Sequence, residues 1–397
     1  MDAYLLDWAN LLLRWAHVIT AVAWIGASFH FVGLDNSLTP PLDEADRAKG
    51  IGGELWAVHG GGFYHQQKYP VSPARLPEQL HWSMWESYST WLTGFALFTV
   101  MYLFNAGMFL VDKSLFDWTP AAAVATALGF LAAFWIVYDA ICRVFGKDKQ
   151  GDVGGDTKVA VLVFIYTCVA TWVACQLFSG RAAFLLTGAM LATVMSANVL
   201  MVIIPGQRKV IASMRAATPV DANHGRRGKQ RSVHNTYFTL PVLVAMLTNH
   251  YGMLYQHPRN WLVLVLLMLA GALIRLFFVL RHKGPNRWEY VAAGVALIGG
   301  VGWMVAPKFE PAAAAPAKVG FAQIQPIIEQ RCVLCHSAAV INKNVQLHTP
   351  ELVAKNAQGV FQQTVLQKTM PLGNATQMPD AERELLKRWY EGGAPVR

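Results

Sequence analysis

Cys332-Val333-Leu334-Cys335-His336 is the stretch around which the rest of the chain is ordered. Two thiols two residues apart, followed directly by a histidine, form the attachment pattern of a c-type haem. Each thiol makes a thioether to a vinyl group, and the imidazole falls under the iron. A zinc reading offers three ligands and no second Cys/His pair at a workable spacing. Haem is attached in this way on the outer side of a bacterial inner membrane, so this end of the chain is expected outside. The flanks fit a small cytochrome c domain. Residues 321–331 read as a leading helix. Residues 380–390 read as a closing helix N-capped by Asp380, with Leu385, Leu386 and Trp389 on one face. Met370, in a Met-Pro loop well ahead of that helix, is the expected sixth ligand. Met378 competes with it, and His348 is a third candidate. A core as small as that of residues 319–397 usually needs a staple, which the covalent haem would supply.

Working outward, composition makes the remainder a membrane protein. Of 397 residues 54% are hydrophobic and only 14% charged, against about a quarter charged in ordinary soluble domains. Eight apolar segments reach the roughly 20 residues that a bilayer crossing takes. They are 11–33, 83–105, 120–142, 158–179, 182–204, 236–255, 260–281 and 288–306. Asp2 and Asp7 stand where a cleavable signal would be positive, so the first segment reads as a span. The net charge of +9 is a topology signal. One set of alternate loops carries eighteen Lys and Arg, the other only Lys113, Arg181 and Arg259. The first set is therefore cytoplasmic and both termini are periplasmic, in agreement with the haem motif. The same signal explains the basic loop 205–233 with membrane lipid as its surroundings and no nucleic-acid partner. Cys142, Cys168 and Cys175 read as free buried thiols, and no phosphate-cradling glycine motif follows a strand. The expected fold is all-α: a polytopic membrane bundle of about eight spans over 1–306, a Pro/Ala-rich linker over 307–318 and a small α-helical cytochrome c domain over 319–397.

Polar residues inside spans mark functional sites more often than not. His17 and His30 lie on the first segment, about 20 Å apart at 1.5 Å per residue. By depth, His17 groups with Asn249 and His250 near the outer face. His30, His81, Glu86, His234 and Asn235 group near the inner face. The plainer reading puts the span-end members at the headgroups. Between the first two segments runs His59-Gly60-Gly61-Gly62-Phe63-Tyr64-His65-Gln66-Gln67-Lys68. Its glycines permit close backbone approach, and its His, Tyr, Gln and Lys suit a planar, polar, anionic heterocycle. A flexible cytoplasmic loop is the alternative.

These segments together resemble one known family. Trp15-Ala16-His17-Val18, Trp24-Ile25-Gly26, His59 to Tyr64, His81-Trp82 with Trp85-Glu86, and His234-Asn235-Thr236-Tyr237 through Asn249-His250-Tyr251 are similar to the bacterial membrane-bound urate oxidase family PuuD. That family joins an eight-span domain to a C-terminal cytochrome c. The resemblance implies an inner-membrane oxidoreductase with a transmembrane catalytic domain. It implies oxidation of urate to 5-hydroxyisourate with water as the oxygen source, electrons passing to haem c and on to a downstream cytochrome c or terminal oxidase. Urate must lose two electrons and two protons, so a base with a pKa near 7 is wanted. His81, Glu86 and His234 are the candidates, with Asn235 beside His234. Gln66, Gln67 and Lys68, next to His59 and Tyr64, would bind the anion together with Asn235. His17 and His250, at similar depth, would share a haem b iron or simply hydrogen-bond within the bundle. Two other classes stay open: a quinol or other small-molecule dehydrogenase with the same outlet, and a non-enzymatic membrane-anchored carrier. The carrier needs only one span and no buried histidines.

Overall fold

The structure, a computed structural model, describes residues 2–148, 151–284, 286–306, 319–340, 345–366 and 368–396. All eight apolar segments fall on helices. They are α1 (Asp2–Asn36), α2 (Trp85–Phe98, continued by a π-helical turn Thr99–Leu103), α3 (Pro120–Phe145), α4 (Asp156–Leu177), α5 (Gly180–Ala197), α7 (Ala222–Thr248), α8 (Asn260–Leu280) and α9 (Trp288–Met304). A π-helical turn, Asn198–Ile203, joins α5 to α6 (Ile204–Arg215). Pro205, at the start of α6, has no N–H and crowds the preceding turn, and the wider turn absorbs that conflict. Among the described residues five helical runs are long and apolar enough to cross a membrane: Tyr4–Asn36, Pro120–Phe145, Asp156–Leu177, Gly180–Arg215 and Asn260–Leu280. By contrast α2 has 14 residues and α9 has 17, while α7 opens on a polar stretch and stops at Thr248, short of the end of its apolar segment.

Local chemistry sets the helix starts. Thr119 caps α3 ahead of Pro120, its hydroxyl accepting the Ala122 N–H at 3.3 Å. Asp221 caps α7 through the Asn223 N–H at 2.9 Å. The centre of the bundle is α5, buried along most of its length, with α3, α4 and α7 around it. The outer flank is α1, which packs on α2 and leaves Leu12, Trp15, Ile19 and Val22 exposed. Apolar helices gain little from one another in lipid, so close approach at small residues matters. Gly271 of α8 lies under Leu240 and Pro241 of α7, where a Cβ would come within 3.2 Å of Leu240. Gly94 of α2 lies under His17 of α1, where a Cβ would stand 2.7 Å from the ring.

The all-α expectation needs one correction. The segment read as a glycine-rich loop is an antiparallel hairpin, β1 (Gly53–His59) and β2 (Gly62–Lys68), with His59 paired to Gly62. Gly60 and Gly61 have φ of +62° and +81°, so the glycines serve a tight two-residue turn that side chains with a Cβ resist.

A second, separate hydrophobic core lies in the C-terminal part. There α10 (Phe321–Arg331) crosses α11 (Asp380–Glu391), with Phe321 and Trp389 edge to face at 6.3 Å and Ile324 and Leu386 buried between them. Pro379 takes the cap position of α11 and Asp380 its first turn, not the cap, because the Asp380 carboxylate is drawn to Lys368 at 2.8 Å. The expected linker, 307–318, lies outside the described residues.

Candidate functional site

The Cys332–His336 turn forms where α10 ends. Cys332 closes the helix, its N–H donating to Ile328 at 2.9 Å. The N–H groups of Cys335 and His336 both return to the Cys332 carbonyl, at 3.1 and 3.0 Å, gathering the two cysteines and the histidine on one turn. The Nδ1 of His336 lies 3.0 Å from the Val345 carbonyl. That contact engages Nδ1 and leaves Nε2 as the other ring nitrogen, the orientation in which second-shell bonds usually hold a histidine ligand. Burial pushes the Cys332 thiol up to about 12. Among the described residues no three His, Cys, Asp or Glu side chains gather closely enough to cage a bare metal ion. Two thiols and one oriented imidazole on a single turn fit a covalent haem. Met370 is half-buried in a loop held by backbone bonds. Its N–H donates to Gln363 at 3.0 Å, and its carbonyl accepts from buried Arg383 at 2.8 Å. Met378 is packed into the small core, 3% exposed, and His348 is exposed.

The Met370 loop also faces the bundle. Gln256 donates to the Lys368 carbonyl, and Leu372–Asn374 packs against the short helix Ala106–Phe109 that follows α2.

Inside the bundle one polar network stands out. Tyr138 Oη and His234 Nδ1 are 2.7 Å apart. Asn198 Nδ2 donates to Tyr138 Oη at 3.0 Å and to Asn235 Oδ1 at 2.9 Å, while Asn235 donates to the Met195 carbonyl at 2.9 Å. Buried Arg231 pairs with Asp139 at 2.6 Å and covers the Tyr138 ring. The π-helical turn is what presents Asn198 here. Of the three acid–base candidates only His234 belongs to this network, together with Asn235. His81 is exposed on the segment leading into α2, and Glu86 sits in that helix's first turn, where a carboxylate suits the helix dipole. Neither side chain joins the network. Close to them, Trp82, Gln79, Arg208 and Arg215 line an open groove of about 720 Å³.

On the hairpin, His59, Tyr64, Gln66 and Lys68 share one face and Gln67 lies on the other. Lys68 pairs with Asp35 and Gln67 with Asp46, which ties the hairpin down. His65 stacks on Trp56 at 4.1 Å and bonds Glu54 at 2.7 Å. His17 Nδ1 lies 3.1 Å from the Thr90 carbonyl and 3.3 Å from Thr93 Oγ1, and His250 is exposed just past the end of α7. Sequence reasoning passed over Tyr138, Asp139 and Asn198. It also passed over Arg275, which is 5% exposed inside α8 with Nε and Nη2 unpartnered and the Phe29 ring 3.8 Å away. An asparagine and an arginine inside apolar runs were the available signals.

A largely helical bundle with several helices long and apolar enough to cross a membrane holds buried amide and arginine groups in its interior. The model of the urate oxidase N-terminal family matches residues 3–306, and the chain belongs to that family. No curated protein and no solved structure matches it.

Proposed function

We propose that this chain spans the bacterial inner membrane eight times, oxidises urate to 5-hydroxyisourate and passes the electrons to a C-terminal haem c. Family membership supports urate as substrate and an oxidoreductase activity. The observation that supports the electron route is the seating of the Met370 loop on the bundle at Gln256 and Ala106–Phe109. Cys332 and Cys335 supply the thioethers, and His336 and Met370 the axial ligands. Bound there, the haem supplies a one-electron acceptor, reoxidised by a downstream cytochrome c or terminal oxidase.

The overall change balances as urate plus water to 5-hydroxyisourate plus two protons and two electrons. Water forms the new C–O bond, so dioxygen is not consumed in the chemical step. The bundle's part is to bind the anion, exclude solvent and take the protons. Groups for proton removal stand at both ends: His234 with Asn235, His81 and Glu86 towards the cytoplasm, and His17 and His250 towards the periplasm. The hairpin face of His59, Tyr64, Gln66 and Lys68, with Gln67 behind it, lies on the cytoplasmic side and offers the anion a first contact. Turnover under argon in water enriched in oxygen-18, with oxidised cytochrome c as acceptor, tests the reading. Label in the product supports it. Product that forms only with dioxygen and carries oxygen from it refutes it.

A further inference from the structure

We infer that the urate anion is bound and oxidised in a basic pocket at the outer end of the bundle, formed by Arg14, Tyr102, Arg181 and His250 beneath the Met370 loop. This rests on the urate reading above and places its site.

Arg181 is in the first turn of α5, which holds no acidic residue. A cation there opposes the helix dipole and gains nothing locally. The backbone nevertheless fixes it in place. Ser179 bonds Phe109 and Leu110 at 2.6 and 2.9 Å. Gly180 lies so close to the Tyr255 carbonyl that a Cβ would come within 2.1 Å. The Arg181 guanidinium faces the Phe109 ring at 5.7 Å, and its buried Nε has no partner. Beside it lies the Tyr102 hydroxyl, on a residue 2% exposed, with the Arg181 guanidinium as its polar neighbour. Arg14 enters from α1, held by Asn10 at 3.3 Å and Met101 Sδ at 3.1 Å. His250, exposed just past the end of α7, completes the group five residues before Tyr255, whose carbonyl lies against Gly180. Among the described residues no carboxylate pairs with Arg14 or Arg181.

Two half-buried guanidinium groups without a carboxylate partner favour an anion between them. Urate is a planar monoanion whose carbonyl oxygens suit bidentate guanidinium donors, with the Tyr102 O–H as a further donor. Position makes the second case. The roof of the pocket is Ala106–Phe109, on which Leu372–Asn374 sits, and Gln256 beside Tyr255 holds the Lys368 carbonyl. The Asn198 network is eighteen residues along the helix from Gly180, about 27 Å at 1.5 Å per residue, and too far for an electron to leave directly. In the outer pocket water oxygen bonds to urate C5 as two electrons depart singly to the haem. His250 takes one proton and the periplasmic solvent the other.

The test uses the full-length haem-bearing protein under argon, measuring urate Kd by equilibrium dialysis and urate-driven reduction of the c-type band. Arg181→Gln should weaken urate binding about ten-fold or more, the scale of a lost hydrogen bond to a charged group, and Arg181→Lys should recover part of it. Tyr102→Phe, which keeps the ring, should weaken it less. Arg208→Gln, in the cytoplasmic groove, should leave Kd at the parent value. Reduction by ascorbate should be unchanged throughout, showing folded protein. Parent affinity in both Arg181→Gln and Tyr102→Phe, or loss of binding in Arg208→Gln, overturns the site. So does a b-type haem that Arg181→Gln removes, which gives the arginines to that haem's propionates. If the parent is reduced by urate and Arg181→Gln equally so, only the site falls. If the parent neither binds urate nor is reduced by it, the urate reading falls as well.

Discussion

Tyr138 ties two helices and the π-helical turn together through one hydroxyl, bonded to His234 and Asn198. Removing it leaves buried partners unsatisfied, at a cost of about 1–3 kcal/mol. Tyr138→Phe is therefore expected to lower the melting temperature while leaving the KM for urate near the parent value. A large KM increase with unchanged stability would instead put the substrate at this network. Cys332 is governed by burial, which holds its thiol protonated at neutral pH, and a protonated thiol is a poor nucleophile. In haem-free protein at pH 8, iodoacetamide should label half-exposed Cys335 well before Cys332, and in mature protein neither should react. Equal labelling of both in the haem-free chain would contradict the buried placement of Cys332.

At the scale of elements, the hairpin hangs on Glu54, whose buried carboxylate accepts the Leu42 N–H at 2.8 Å and bonds His65. The Leu42 N–H first, and His65 after it, hold its pKa below the ordinary carboxylate value. A depressed folded-state pKa contributes stability above the unfolded value, near 4.3, that is lost as pH falls through the folded one. Protease cleavage at Gly60–Gly61 should stay slow from pH 7 to 5 and accelerate only below about 4. Glu54→Gln should be cleaved quickly across the whole range, and a pH-independent parent would count against this anchoring. Gly180→Ala forces a Cβ against the Tyr255 carbonyl and should reduce both yield and urate affinity. Elements were also where the sequence could be read unevenly. The long apolar runs are local signals, and the helices lie on them. The three glycines at 60–62 carry no such distinction: a turn and a ligand cradle ask the same freedom of the backbone, and only pairing across β1 and β2 separates them. Asp380 reads as a cap until Lys368, twelve residues away, competes for its carboxylate.

For the whole molecule, the Cys332–His336 motif and the eight apolar segments were legible because each is contiguous. The Arg14, Tyr102, Arg181 and His250 group was not. Its members come from α1, the π-helical turn after α2, the start of α5 and the turn past the end of α7, and Arg181 was weighed only as one of three basic residues in the outer loops. The charge asymmetry makes its own prediction. A periplasmic reporter fused after Ala306 should be active and one inserted between Ala216 and Pro219 silent, and the opposite pattern would invert the topology. The central claim is that a urate oxidase region and a haem c share one electron path within this chain. Its most direct measurement is the c-type α-band of membranes containing the full chain, under argon, as urate is added. The account predicts two haems reduced per urate consumed, and no such band when Cys332 and Cys335 are replaced by serine. Urate consumption with the band left oxidised, even after the downstream oxidase is inhibited, would contradict it.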